Sequence, residues 1–422
     1  MTLQDAIRFM AQTSKITMES DAALVGDITL RQAALAAAAT PRQGVRQKLP
    51  LIQAVGLQGD LALRPISAML ELARGTALND DPEVAAFARR WSTLRYLGVF
   101  ANHGHNTKLR LDQGALQFIG PNQRRVLSED LGIGFGIMVA KHWCRTRDPR
   151  VGPITVIDVD KALHRGTVPN LRRAGSRQPD YLLSYPDPTN SSLTTYELLE
   201  TKGTVNATTA RGQLARAATQ LAGLTVSGTA MTGLAVSTVS NVNGLGVLAV
   251  DPEEAPLRWQ RSEALLERWR VAPTRARSSA PLIDLEADDL FAGATNVDNA
   301  TLAEFSGLTT AANGWLPERQ SRWGDRPDRT ITREFDIGSF VGAEYVIEAP
   351  GSTGRIRIFQ AVEENVARGL RSRDSTEVAG AQRAFAERRP EAVETSDAQQ
   401  GSDQAIARAY NSDGSLLEIR IE

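Results

Sequence analysis

The chain has 422 residues and a formal net charge of −1, with 42% hydrophobic and 23% charged residues, which is ordinary for a soluble globular protein. No apolar run approaches the roughly 18 residues of a membrane span, and the first residues lack the basic and apolar regions of a signal peptide. The single cysteine, Cys144, excludes an internal disulfide and a cysteine-based zinc site. We therefore predict a cytoplasmic protein of two or three domains with no membrane partner.

The charge is distributed unevenly along the chain. Residues 108–216 carry 16 basic and 10 acidic residues, whereas residues 280–422 carry 15 basic and 25 acidic residues. A basic surplus attracts a phosphate backbone and an acidic surplus repels it. We expect the first segment to contact nucleic acid and the acidic C-terminal segment to serve a protein partner.

Apolar residues recur at helical spacing in the first hundred residues. The stretches from Leu30 to Ala37 and from Ile66 to Ala73 show this spacing, and Pro82 opens a third. An all-helical N-terminal domain is predicted over residues 1–110. No residue pattern in it indicates a chemistry, so contact with a protein partner and positioning of a duplex both stay open.

A further helix is predicted from Ser128 to about Arg145. Ser128 is a good N-cap, and the acidic Glu129 and Asp130 that follow it suit the first turn of a helix. Glycines stand at positions 132, 134 and 136, but the G-x-G-x-x-G order of a dinucleotide-binding loop is absent and no strand precedes them. Close packing of the helix against a neighbouring element explains these glycines.

The next predicted element is a buried strand, because residues 154–160 are rich in β-branched and apolar side chains. A basic loop follows it and contains Arg172, Arg173 and Arg177. These arginines are predicted to contact phosphates of nucleic acid. A solvated surface loop is the alternative interpretation.

The most informative stretch runs from Pro179 to Gly203. It contains Pro-Asp-Tyr-Leu-Leu, a segment of turn-forming residues, and then Tyr-Glu-Leu-Leu-Glu-Thr-Lys-Gly, which predicts two paired strands. Side chains alternate between the faces of a strand, so Glu200 and Lys202 point the same way. Pairing of the two strands would bring Asp180 towards Glu200.

Two converging carboxylates are most simply explained by a hard divalent cation, since they otherwise repel. Mg²⁺ prefers oxygen ligands and keeps several waters, one of which can attack a phosphodiester. Lys202 could orient that water or stabilise charge on the phosphate oxygens. The chain has only six lysines among its 48 basic residues, so a lysine at this position is less readily a chance occurrence. The alternative is a charged pair on a solvated strand.

Beyond the motif, a helix is predicted from Asn206 to about Leu224 and an apolar strand over residues 234–239. Residues 253–280 are predicted to hold a short helix, around Trp259 to Trp269, and a linker. Residues 281–422 are predicted to form an acidic α+β C-terminal domain, partly because residues 344–359 read as a hairpin. The whole is a multidomain α+β protein.

The order of elements over residues 120–252 resembles the αβββαβ core, with its mixed sheet, of the PD-(D/E)XK nuclease superfamily, the restriction-endonuclease-like fold. The resemblance rests on Pro179-Asp180 followed on the next strand by Glu200-x-Lys202. It implies that Asp180 and Glu200 bind Mg²⁺, with Mn²⁺ as a substitute, and that Lys202 is the catalytic lysine.

The resemblance also implies further site residues. In this superfamily the helix before the first core strand often carries an additional acid that faces the metal. Glu129 occupies a comparable place, and Asp130 is a second candidate. The alternative is that both are ordinary acids in the first turn of a helix. The helix after the Glu-x-Lys strand supplies a glutamine in several relatives, so Gln213 is a candidate catalytic residue and Gln220 a second. The Gln-x-x-x-Tyr pattern of the RecB-like branch is not met, because Ala217 stands four residues after Gln213.

These inferences predict a metal-dependent nuclease that hydrolyses DNA, endo- or exonucleolytic, with bacterial defence against foreign DNA as its setting. A homodimer would suit the cutting of two strands. The first alternative is a non-catalytic subunit that keeps the nuclease fold and binds nucleic acid or protein partners in a larger complex. The second is a hydrolase of another phosphate ester, which shares the metal chemistry.

Overall fold

The structure is a computed structural model, which describes residues 2–38, 51–76, 82–101, 105–164, 178–190, 193–226, 229–252, 257–260, 283–285, 287–316, 327–348, 354–388 and 405–422. Within these residues the chain folds into mixed α and β structure with one large mixed sheet and a separate antiparallel sheet. None of the described helices is long and apolar enough to cross a lipid bilayer.

The described helices are α1 Leu3–Ala11, α2 Ala22–Ala38, α3 Pro65–Gly75, α4 Pro82–Leu94, α5 Gln113–Phe118, α6 Pro121–Arg147, α7 Val159–His164, α8 Ala207–Leu221, α9 Ala287–Phe305, α10 Thr309–Gly314, α11 Glu364–Ser372 and α12 Ser375–Arg388.

The described strands are β1 Ser14–Glu19, β2 Ile52–Gln53, β3 Gly59–Leu63, β4 Thr155–Asp158, β5 Tyr181–Pro186, β6 Leu193–Thr204, β7 Leu224–Val226, β8 Thr229–Ala230, β9 Gly233–Asn241, β10 Gly244–Pro252, β11 Leu257–Gln260, β12 Ile283–Leu285, β13 Ile331–Phe335, β14 Gly338–Glu348, β15 Arg355–Glu363, β16 Ala405–Tyr410 and β17 Ser415–Ile421.

The large sheet has the strand order β3-β1-β10-β9-β6-β5-β4, and β11 and β2 pair with β6 and β10. Strands β4, β5 and β6 form an antiparallel meander, and β9 lies parallel to β6. Helices α6 and α8 cover opposite faces, because Leu199 packs in the core with α6 and Leu198 packs in the core with α8. The predicted order of helix, three strands, helix and strand is therefore found among the described residues, with the short α7 inserted after β4 and the short β7 and β8 inserted before β9.

The prediction of an all-helical N-terminal region is wrong. Residues 14–19 form β1, which pairs in parallel with β10 and antiparallel with β3. Alternate side chains of β1 are buried, including Ile16 and Met18, as expected of a strand inside a sheet. The partner strand β10 lies more than 200 residues further along the chain, so local periodicity did not reveal the pairing.

A five-stranded antiparallel sheet of order β13-β14-β15-β17-β16 forms the C-terminal region. The predicted hairpin is confirmed as β14 and β15, in which Glu344 lies opposite Phe359. Helix α1 packs against β16, and Arg74 of α3 forms buried ion pairs with Asp298 of α9 and with Asp413 in the turn between β16 and β17. Buried charges thus join the N-terminal helices to the C-terminal region.

The prediction of a helix around Trp259 is wrong for the first residues of that segment. Residues 257–260 form β11, which pairs antiparallel with β6, so that Trp259 lies opposite Thr194. The rest of that prediction, including Trp269 and the linker, falls outside the described residues.

Candidate active site

The hairpin of β5 and β6 brings the two predicted metal ligands together. Asp180 immediately precedes β5, and Tyr181 pairs with Leu199 across the hairpin. The backbone N–H of Asp180 donates a hydrogen bond of 2.9 Å to Oε2 of Glu200, whose side chain is fully buried. The predicted convergence of Asp180 and Glu200 is confirmed.

Lys202 lies between these carboxylates. Its Nζ contacts the Glu200 carboxylate and lies 3.8 Å from Oδ2 of Asp180. The same Oδ2 accepts hydrogen bonds from the backbone N–H of Thr201, at 3.0 Å, and from its hydroxyl, at 3.2 Å. The Asp180 side chain is 35% exposed and that of Lys202 is 27% exposed, so both can reach a molecule outside the protein.

The electrostatics of the three groups are coupled. Burial, and then the charge of Asp180, raise the pKa of Glu200 to about 8 although Lys202 opposes this. Burial also raises the pKa of Asp180. Burial lowers the pKa of Lys202, but the two carboxylates outweigh it and the net change is upward. The site therefore favours a charged lysine and would be stabilised by a further positive charge.

Glycines hold α6 directly against the motif strand. A Cβ atom on Gly203 would lie 1.7 Å from the carbonyl oxygen of Ser128, and one on Gly132 would lie 2.8 Å from Cα of Gly203. A Cβ on Gly136 would meet Cγ2 of Thr201 at 2.8 Å. Since no side chain fits between the two backbones, the predicted role of these glycines in close packing is confirmed.

The predicted start of this helix is wrong. Helix α6 begins at Pro121, which follows Gly120 and occupies the first helical position, where its missing N–H costs nothing. Ser128 lies inside the helix, and its hydroxyl donates to the carbonyl oxygen of Arg125 at 2.8 Å instead of capping backbone amides.

The longer helix changes the setting of the two acids that follow Ser128. Glu129 lines the same cleft as Asp180, with its side chain 58% exposed and 3.9 Å from Arg125. Asp130 instead contacts Arg95 and the hydroxyl of Tyr96. Of the two candidates, Glu129 is the one that lines the cleft, and its assignment as a metal ligand stays a prediction.

The cleft has a volume of about 820 Å³ and an acidic lining. Among the described residues, its charged lining consists of four acids and one lysine, namely Glu129, Asp158, Asp160, Asp180 and Lys202. We call it the acidic cleft.

Two of these acids, Asp158 and Asp160, escaped the sequence analysis. Asp158 ends β4 opposite Tyr181 of β5, and its charge adds to the rise in the pKa of Asp180. Its Oδ1 accepts the backbone N–H of Lys161 at 3.0 Å, so it also caps α7. The sequence did contain a signal for these two acids, because both stand at the end of a predicted β-branched strand, and that strand precedes the strand of Asp180.

Both candidate glutamines line the acidic cleft. Oε1 of Gln213 is buried without a hydrogen-bond partner, whereas Nε2 of Gln220 lies 3.5 Å from the carbonyl oxygen of Gln178. A buried amide oxygen without a donor is costly, and a cation or water in the cleft would satisfy it.

The donor set fits a hard divalent cation. In the described part of the chain no three His, Cys, Asp or Glu side chains are grouped so that they could hold a metal ion. Mg²⁺, however, is commonly bound through one or two carboxylates together with waters. Asp180 and Glu200 supply two such carboxylates, and the unpaired oxygen of Gln213 is a neutral donor of the same type.

The predicted phosphate-binding residues Arg172, Arg173 and Arg177 lie outside the described residues.

No family model matches the chain, and no curated protein or solved structure matches it either. The functional inference therefore depends on the site itself.

Proposed function

We propose that this chain is a metal-dependent nuclease of the PD-(D/E)XK type that hydrolyses DNA phosphodiesters. The observation that carries the proposal is the contact of buried Glu200 with Asp180 and Lys202, which both line the acidic cleft. Nucleases of this kind need two oxygen ligands and a compact cation within reach of one phosphate. A hairpin of unrelated function would rarely place two carboxylates and a lysine together by chance.

Asp180 and Glu200 would hold Mg²⁺ or Mn²⁺, which when bound supplies a Lewis acid and lowers the pKa of a coordinated water. Thr201 fixes the orientation of Asp180 by its two hydrogen bonds. Lys202 would stabilise negative charge on the phosphate oxygens. Its ammonium is already charged and already directed towards the carboxylates, so little reorganisation is required.

A nucleic-acid substrate is proposed because the segment carrying the motif has a basic surplus, with 16 basic and 10 acidic residues over 108–216. The choice of DNA follows from the resemblance to the nuclease superfamily. The acidic cleft itself would repel a phosphate backbone unless a metal ion neutralised it. Defence against foreign DNA in the cytoplasm, a homodimer, and a protein partner for the N-terminal or acidic C-terminal region belong to the same proposal.

The test is incubation of plasmid, linear duplex and single-stranded DNA with the protein in Mg²⁺, Mn²⁺ or EDTA. We expect metal-dependent cleavage by the wild type and none by Glu200→Ala. Glu348→Ala is the matched control, because Glu348 is an exposed glutamate on strand β14, far from the motif in sequence. Cleavage by Glu200→Ala at the wild-type rate, or in EDTA, would contradict the proposal.

The second candidate is a non-catalytic subunit with the same fold. The contact of Lys202 with Glu200 favours it, since a lysine that neutralises a buried carboxylate can be purely structural. Calorimetric titration with Mg²⁺ and Mn²⁺ separates the two candidates. Binding that is lost in Asp180→Ala supports the nuclease, whereas the absence of binding to the wild type supports the non-catalytic subunit.

A further inference from the structure

A second cleft, of about 860 Å³, lies along the C-terminal half of α6. Its described lining comes from β3, α3, α6, the segment after α6, the turn after β5, α12, and the turn between β16 and β17. Among the described residues it shares no lining side chain with the acidic cleft. We call it the basic cleft, because its charged lining includes Lys141, Arg145, Arg150 and Arg383.

Several charged side chains in the described lining of the basic cleft already interact with other protein groups, and Arg150 pairs with Asp148 at 2.6 Å. Glu71 pairs with Lys141 at 2.5 Å, and both side chains are buried. Asp187 is buried and accepts hydrogen bonds from the backbone N–H groups of Thr189, at 2.8 Å, and Asn190, at 3.1 Å. The remaining acid, Glu387, is exposed on α12.

Arg145 and Arg383 line the basic cleft from two different helices. Arg145 of α6 is partly buried and donates to the hydroxyl of Ser412 at 3.2 Å, which holds its guanidinium at the wall. Arg383 of α12 is also partly buried. Arginine presents several fixed donors and is suited to bind phosphate.

An unpaired donor adds to these charges. Asn411 lines the basic cleft, and its side-chain Nδ2 is buried without a hydrogen-bond partner. A buried N–H group without an acceptor is unfavourable, and an oxygen of a bound anion would satisfy it. Donors from three different elements, α6, α12 and the turn between β16 and β17, thus line one cavity.

Part of the wall is apolar. Met138 and Val151 contribute to it, together with the ring of Phe385 and several prolines. A cavity of this volume, with apolar walls and a few convergent donors, has the size and character of a small-molecule site. A ligand with an aromatic ring and a phosphate group would match both parts of the lining.

We propose that the basic cleft binds a small phosphorylated molecule of nucleotide size, with its phosphate oxygens at Arg145, Arg383 and Asn411. This site is distinct from the acidic cleft and does not depend on nuclease activity.

The test is isothermal titration calorimetry of the full chain in EDTA with ATP, pyrophosphate and adenosine as probes. EDTA removes divalent metal ions, so a phosphate cannot be held through metal in the acidic cleft. ATP is expected to bind, pyrophosphate to bind more weakly, and adenosine to bind at least about tenfold more weakly than ATP, because a charge-assisted hydrogen bond contributes roughly this much.

Three variants locate the site. Arg145→Gln, Arg383→Gln and Asn411→Asp are each expected to weaken ATP binding about tenfold or more. Arg8→Gln, at an arginine of α1 that is 48% exposed, and Asp180→Ala, in the acidic cleft, are expected to bind ATP as the wild type does. Thermal unfolding without ligand checks that each variant is folded.

Three results would overturn the proposal: no heat of binding with ATP at millimolar concentration, unchanged binding in all three cleft variants, or loss of binding in Asp180→Ala alone. A 5′-phosphorylated single-stranded oligonucleotide is titrated as well. If it binds at least about tenfold more tightly than ATP, and loses that affinity in Arg145→Gln, the cleft is a nucleic-acid interface and the small-molecule assignment is wrong.

Discussion

Helix α6 contributes to both clefts, and the two differ in charge and in construction. Near its N-terminal half, Glu129 and Ile133 line the acidic cleft, and near its C-terminal end Lys141 and Arg145 line the basic cleft. The helix has 27 residues, which corresponds to about 40 Å. One helix thus contributes side chains to two separate cavities, of which we propose that one binds a cation and the other an anion.

The two clefts are also built by different physical means. At the acidic cleft α6 meets the strand through Gly132 and Gly203, where the absence of side chains permits contact. At the basic cleft α6 and α3 share the buried ion pair of Lys141 and Glu71, in addition to the close approach of Gly134 to the backbone of Ala68. Backbone contact holds strand β6 close to α6, whereas the ion pair depends on both charges being present. The predictions below test this difference.

The largest expected effect is that of Gly203→Ala. The added Cβ would lie 1.7 Å from a backbone oxygen, so helix and strand must separate. We expect the free energy of unfolding to fall by at least about 3 kcal/mol, measured by urea denaturation. Gly212→Ala in α8 is the control, since its Cβ would meet nothing within 4 Å and alanine favours the helix. Equal stability of the Gly203 variant and the wild type would contradict the close contact.

Lys141→Met tests the ion pair at the basic cleft. It leaves the carboxylate of Glu71 buried without its partner, which should cost about 3 kcal/mol of unfolding free energy. The double variant Lys141→Met with Glu71→Leu should recover most of that loss, because no buried charge remains. A double variant as unstable as the single one would show that packing, and not charge, joins α6 to α3.

Asp158 and Glu129 test which acids act in the acidic cleft. Asp158 affects the pKa of Asp180, whereas the side chain of Glu129 is 58% exposed. We expect Asp158→Asn to slow DNA cleavage about tenfold and Glu129→Gln to change it less than about twofold, where tenfold in rate corresponds to about 1.4 kcal/mol. The reverse order would support Glu129 as a third metal ligand, as the sequence analysis predicted.

The site was predictable from the sequence where its geometry is local. Asp180, Glu200 and Lys202 lie on one hairpin, so strand alternation and turn-forming residues were enough to bring them together. The glycines of α6 could likewise be read as packing residues. The helix start could not be placed correctly, because Ser128 has the chemistry of a cap but uses its hydroxyl within the helix.

Contacts between distant segments were not predictable in this way. The pairing of β1 with β10 joins Thr17 to Gly246, and six residues of β1 carry too little periodic signal to reveal it. The basic cleft joins residues as far apart as Glu71 and Asn411, so its charges could not be recognised as one cavity. Asp158 was hidden for a related reason, since it belongs to the site only because β4 pairs with β5.

The most direct test of the nuclease assignment is the single-turnover rate constant for cleavage of duplex DNA in Mg²⁺, measured for the wild type and for Lys202→Ala. Our account predicts a decrease of about 100-fold or more, because the variant lacks the ammonium that would stabilise the phosphate oxygens. A Lys202→Ala variant that cleaves DNA as fast as the wild type would contradict it.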